Sequence, residues 1–197
     1  MKQQIIVSGL GGQGALTLTR LLAEAAAAAG LSVITSETHG MAQRGGTVIS
    51  MIKVGAFRGP LIPGGEADRG LFLHPKNLAV HRFYLRTGAA VFVNTDLPGD
   101  YLNLDARSLA AAHGLPPVAA NLILLGFAAA KGGLFAGPEI LAEMIAAKTP
   151  ERFREASLKA FQLGLAAAPA ASEPGSRGLH RENQNPPLSK GDFKTPL

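Results

Sequence analysis

Along residues 4–165 the apolar positions switch repeatedly between short unbroken runs and a three-to-four-residue spacing, and the switches predict an alternation of strands and helices. Ile5-Ile6-Val7 places a strand over residues 4–8. Leu18, Leu21, Leu22, Ala25 and Ala29 then recur at helical spacing with Arg20 and Glu24 on the other side, so residues 15–29 form a helix that Gly30 stops. Strands follow over 32–35 and 47–54, separated by a polar loop over 36–46. Those 11 residues leave little room for a crossover helix, so the third strand is expected to run antiparallel. Beyond a Gly/Pro-rich loop over 55–68, the pattern predicts a strand over 70–73, a helix over 77–85, a strand over 89–94 and a short strand over 101–104. Helices are expected over 106–113, 122–131, 138–147 and 151–165. Leu122, Leu125 and Ala129 make a core stripe, and Asn121 is expected to cap the helix that carries it. The fold class is α/β: a Rossmann-like three-layer fold whose mostly parallel sheet is made mixed by its third strand.

Composition supports one core. The chain has 197 residues and 20.4 kDa, 47% apolar and 17% charged, with a mean hydropathy of +0.18, which suits a single domain over 1–167. Residues 168–197 hold 5 of the 13 prolines and no sustained periodicity, so they read as a disordered tail. Cysteine is absent, which excludes disulfides, thiolate nucleophiles and Cys-ligated iron–sulfur or zinc sites within this chain. The start lacks a continuous apolar leader, and the longest apolar run, 118–130, is too short to span a bilayer, so a cytoplasmic protein without a membrane segment is expected. The net charge of +5 is scattered, and with no Trp and only 2 Tyr there is neither a basic stripe nor a stacking platform for nucleic acid. An anionic small molecule or an acidic partner patch fits that balance better.

Two stretches concentrate candidate chemistry. The first is Gly9-Leu10-Gly11-Gly12-Gln13-Gly14, between a predicted strand and a predicted helix. Glycines there let the backbone turn sharply and approach a phosphate, and the N–H groups at the helix start favour an anion. Glu37 follows Gly14 by 23 residues, where a dinucleotide-binding fold carries an acidic residue for the ribose, so a stand-alone NAD-binding oxidoreductase is one reading. The second stretch is Ser36-Glu37-Thr38-His39-Gly40-Met41-Ala42-Gln43-Arg44-Gly45-Gly46. If the first two strands are parallel neighbours, it sits beside the Gly loop, and His39 and Arg44 share a crevice suited to phosphate or carboxylate. Glu66, Asp68, His74 and His81 show no nucleophile, base or metal-ligand spacing, and no Gly-x-Ser-x-Gly elbow, Walker A lysine or His-Glu-x-x-His occurs.

Taken together, these two strings resemble the gamma subunits and domains of 2-oxoacid:ferredoxin oxidoreductases of the indolepyruvate type. Val48-Ile49-Ser50, Gly65-Glu66-Ala67-Asp68, Val93-Asn94-Thr95, Asn121-Leu122-Ile123-Leu124-Leu125-Gly126 and Ala160-Phe161-Gln162-Leu163-Gly164 extend the resemblance over about residues 3–166. It departs at Lys53, where the family often has Arg, at Leu73-His74-Pro75, which lacks an acidic residue, and at Ser157, where Asn is frequent. The resemblance implies a Rossmann-like subunit, inactive alone, of a hetero-oligomer. In that complex a large alpha subunit carries thiamine diphosphate and iron–sulfur clusters. The implied reaction is oxidative decarboxylation of an arylpyruvate with coenzyme A to an acyl-CoA, with reduction of ferredoxin. Coenzyme A is associated with the gamma domain, so Gly9, Gly11, Gly12, Gln13, Gly14, Glu37, Thr38, His39, Gln43 and Arg44 are the implied contacts, none with a catalytic step and none a metal ligand. A purely structural interaction subunit is the third class.

Overall fold

The computed structural model describes residues 1–39 and 46–168, the side chains of Thr38 and His39 excepted. Of the tail expected over 168–197, all but Ala168 lies outside the described residues.

The chain runs β1 (Gln3–Leu10), α1 (Ala15–Ala28), β2 (Val33–His39), β3 (Thr47–Val54), β4 (Ala67–Phe72), α2 (Pro75–His81), β5 (Leu85–Asn94), β6 (Leu102–Leu104), α3 (Ala106–Ala112), α4 (Ala120–Ala130), α5 (Pro138–Lys148) and α6 (Glu151–Ala167). Short 3-10 turns at Arg82–Tyr84 and Pro117–Ala119 precede β5 and α4. The strands form one sheet in the order β2-β3-β1-β4-β5-β6. β3 pairs antiparallel with both β1 and β2, whereas β1–β4, β4–β5 and β5–β6 are parallel. The expected reversal of the third strand is therefore present, and it makes the sheet mixed.

β1 is central, so Ile5, Ile6 and Val7 are wholly buried between two layers. Ile5 and Val7 join α1, α4 and α6 in the larger core, while Ile6 joins Ile49, Met51, Phe72 and Val93 beneath α2. One face is thus thick, and the other is covered by one short helix and the loop carrying Ile62. α1 ends as its composition requires: Gly30 adopts φ 70, its N–H bonds Ala27 O, and Leu31 N–H bonds Ala26 O at 2.9 Å. α4 and α6 cross at two glycines. A Cβ on Gly126 would stand 2.2 Å from Phe161 O, and one on Gly164 would stand 1.9 Å from Ile123 O. The backbones touch only because neither residue has a side chain.

Four expectations are corrected. Ser36, Glu37, Thr38 and His39, expected in a loop, extend β2, because β3 offers each a ladder partner from Met51 to Val48. β1 and β2 are not neighbours, since β3 lies between them. β5 starts at Leu85, not residue 89, and its helix ends correspondingly early. Gly88 at φ 75 interrupts the apolar pattern there, and the β4–β5 register shifts between Ala67 and Arg69. Asn121 is no cap: α4 begins at Ala120 without a side-chain cap, and Asn121 is buried inside it.

Candidate functional site

The Gly loop is held by its own atoms. Gln13 N–H closes a turn on Leu10 O at 3.1 Å, and Gly12 takes φ 87 at the turn's third position, a value that favours glycine. Gln13 Oε1 folds back to accept Leu10 N–H at 2.7 Å. That carbonyl oxygen pins the loop, while Gln13 remains in the lining of the cleft beside it. Gly14 caps α1 at φ 83, and a Cβ there would lie 2.1 Å from Asn121 Nδ2, which donates to Gly14 O at 3.5 Å. Gly9 packs tightly, its Cβ position 3.0 Å from both Gln13 Oε1 and Leu73 Cβ. α1 has neither a side-chain cap nor an acidic residue in its first turn, so its free N–H groups and positive dipole end are left for an anion.

The Gly loop that leads into α1 borders a cleft of about 290 Å³, lined by Gly11, Gly12, Gln13, Leu73, Asn94, Arg107, Pro117, Val118, Ala120 and Asn121. The cleft lies at the carboxyl ends of β1, β4 and β5. β1 runs on into α1 on the thick face and β4 into α2 on the thin face, so this is the topological switch point where open α/β sheets bind ligands. Arg107 is the charged residue of that lining, which holds no carboxylate of its own, and the nearby Asp105 carboxylate feels its charge. Its position follows from Asn94, whose Nδ2 donates to Leu73 O at 3.2 Å and whose Oδ1 accepts Ala106 N–H at 2.9 Å. Asp105 caps α3 by accepting Ser108 N–H at 2.9 Å, and hydrogen bonding from the Ser108 side chain, then from that N–H, holds its carboxyl below the usual range. His74, just beyond Leu73, accepts Lys76 N–H on Nδ1 at 3.2 Å. Burial, then the charges of Lys76 and Arg107, push its pKa down.

Among the described residues, the second stretch meets the Gly loop where Gly11 N–H donates to Gly46 O at 2.9 Å. Gln43 and Arg44 lie outside the described residues. Thr38 and His39 end β2 opposite Ile49 and Val48, and Glu37 pairs with Ser50. Because β3 intervenes, Glu37 sits two strands from β1, roughly 10 Å across the sheet. A dinucleotide fold carries its ribose-binding acid on the adjacent strand, so this geometry does not match the NAD reading. Asp68 lies at the other end of the sheet, accepting Gln4 N–H at 2.7 Å and Arg86 Nε–H at 2.8 Å.

The model of pyruvate ferredoxin/flavodoxin oxidoreductases matches residues 4–167. The chain belongs to that family. It is 31% identical to the indolepyruvate oxidoreductase subunit IorB of Thermococcus kodakarensis, over 83% of this chain and 95% of that one. It is 47% identical to IorB of Archaeoglobus fulgidus over 95 residues, a match spanning about half of each chain: 48% of this one and 47% of the relative. The crystal structure of the gamma subunit of keto/oxoacid ferredoxin oxidoreductase from Geobacter sulfurreducens superimposes with a TM-score of 0.69 at 26% identity, covering 84% of this chain and 98% of that chain.

In this member of the pyruvate ferredoxin/flavodoxin oxidoreductase family a buried network supports the loop from the thin face. Ser8 Oγ donates to Val48 O at 2.9 Å, lies 2.8 Å from His81 Nδ1 and accepts from Asn77 Nδ2 at 3.2 Å. Asn77 Nδ2 also donates to Gly9 O at 3.0 Å. With the hydroxyl proton on Val48 O, Nδ1 carries the ring proton and donates to Ser8. Burial pushes the His81 pKa down. Ser8 is fully buried, so the Ser–His pair is no nucleophile; it ties α2 and β3 to the root of the Gly loop. Sequence spacing did not reveal Asn77 or Arg107. Among the described residues no cluster of His, Asp or Glu is placed to hold a metal ion, and no helix is long and apolar enough to cross a membrane.

Proposed function

We propose that this chain is the small subunit of an arylpyruvate:ferredoxin oxidoreductase of the indolepyruvate type, and that its cleft holds the phosphate groups of coenzyme A. The observation that carries the reading is the pairing, across one cleft whose lining holds no carboxylate, of the Gly11-Gly12 loop with Arg107. That set fits a phosphate: a glycine backbone that an anion can approach closely on one wall, a planar guanidinium on the other. The relatives named indolepyruvate oxidoreductase subunit IorB support the choice of complex. A large partner subunit would supply thiamine diphosphate for decarboxylating the 2-oxo acid and iron–sulfur clusters to pass electrons to ferredoxin.

In this reading the chain's own residues bind and orient. Gly11 and Gly12 let the backbone approach the phosphates, and Arg107 clamps them from α3. Asn94 fixes the distance between those two walls, and Asn121 keeps the helix start in place.

The test is calorimetric titration of the full chain, alone and with its co-purified partner, with coenzyme A. Binding should weaken about tenfold in Arg107→Gln, the loss of one charge-assisted contact, without a change in melting temperature. Arylpyruvate- and coenzyme-A-dependent viologen reduction by the complex should show the same loss as a raised KM for coenzyme A. An unchanged affinity in Arg107→Gln, or no coenzyme A binding in either state, overturns the assignment of this cleft.

A further inference from the structure

A second and larger concavity, of about 660 Å³, opens on the thick face where α1, the turn before α4 and the α5–α6 junction meet. Its lining is mainly apolar: Leu21 and Leu122 are buried there, and Phe153, which is 50% exposed, belongs to the same wall as Pro150. A large hydrophobic ring left half in solvent beside an apolar hollow of ligand size is a site in want of an occupant.

The charges say which kind. Of the ionisable residues in the lining, Lys148 and Glu24 pair at 3.0 Å and neutralise each other. Arg20 makes no hydrogen bond or ion pair with any described residue. One unpaired guanidinium at an apolar hollow selects a ligand with a single planar anion attached to an apolar body. The volume lies within the range of sites for small organic molecules.

We infer that this groove binds a small amphipathic carboxylate: its aromatic or branched aliphatic body lies against Leu21, Leu122 and Phe153, and its carboxylate lies on Arg20. The site is separate from the anion cleft, with which it shares only Val118 and Asn121. The inference therefore stands or falls independently of coenzyme A binding.

The experiment is titration of the full chain with naphthalene-1-acetate and with its neutral counterpart, naphthalene-1-acetamide, followed by calorimetry. The carboxylate should bind about tenfold more tightly than the amide, the scale of one charge-assisted hydrogen-bonded contact. In Arg20→Gln the two should bind alike, at the amide's level. Ser157→Phe, which fills the groove from α6, should abolish binding of both while the circular-dichroism melt and coenzyme A affinity stay as in the parent chain. Equal affinities for acid and amide in the parent chain, or a preference that survives Arg20→Gln, overturn the proposal. Failure of both probes to bind the folded chain also overturns it; if Ser157→Phe then also loses a co-purifying subunit, the groove is a protein-docking surface.

Discussion

Replacement of Gly14 by Ala puts one methyl group into the most constrained point of the site. Two separate penalties follow. Alanine at φ 83 is in the left-handed region, which costs a non-glycine residue roughly 1–2 kcal/mol. The new Cβ would also stand 2.1 Å from Asn121 Nδ2, so the buried Asn121 side chain must leave its rotamer and give up its bond to Gly14 O. Those two losses add about 1–2 kcal/mol. Gly14→Ala should therefore destabilise the chain by about 3 kcal/mol. Asn121→Ala alone removes a long, 3.5 Å hydrogen bond and a few buried atoms, for about 1 kcal/mol. In the double variant the collision is gone and only the backbone penalty is added to the loss of Asn121, so the total should be about 2.5 kcal/mol, below that of Gly14→Ala alone. The assay is urea unfolding followed by far-ultraviolet circular dichroism, which suits a chain without Trp. If the double variant is less stable than Gly14→Ala by the full effect of Asn121→Ala, the two residues do not collide and the steric lock between α1 and α4 is refuted.

Two further outcomes follow from the packing and the buried network. The folded-state pKa of His81 lies below its ordinary value of 6.5 because of burial, so the unfolded chain takes up its proton first as pH falls. Stability should be full above about pH 6.5 and decline from there down to the folded-state pKa; His74 is shifted in the same sense, so melts between about pH 7.5 and 5 should flatten most in a His74→Gln/His81→Gln chain. A stability that rises on acidification in that window would contradict the buried neutral His81. At the α4–α6 crossing, Gly164→Ala would bring a Cβ to 1.9 Å from Ile123 O, a rigid backbone atom. It should destabilise by roughly 3 kcal/mol or more in the same unfolding assay, towards or beyond the upper end of overpacking costs; a loss below about 1 kcal/mol would mean that the helices can part without penalty.

The local chemistry of this protein was legible in its sequence. Ile5-Ile6-Val7 marks a doubly buried strand, the spacing of Leu18, Leu21, Leu22 and Ala25 marks the face of α1, and Gly30 stops it, because each signal operates within a few residues of backbone. The Gly loop was legible for the same reason, as was the reversal of β3, which follows from the shortness of its connection. Strand order was not. The insertion of β3 between β1 and β2 is set by long-range pairing, and it moves Glu37 away from the place that spacing suggested. Ser36–His39 look like loop residues because polar side chains suit an edge strand as well as a turn. Arg107, Asn94 and Asn121 are ordinary residues in the sequence, separated from the Gly loop by 80 residues or more. They acquire roles at the site only because parallel β1, β4 and β5 end on one edge and α4 packs its first turn against Gly14. Periodicity and glycine placement thus determined which elements form, since those depend on neighbouring residues. The tertiary structure alone decided which side chains share a cleft, since that depends on contacts between segments distant in the chain.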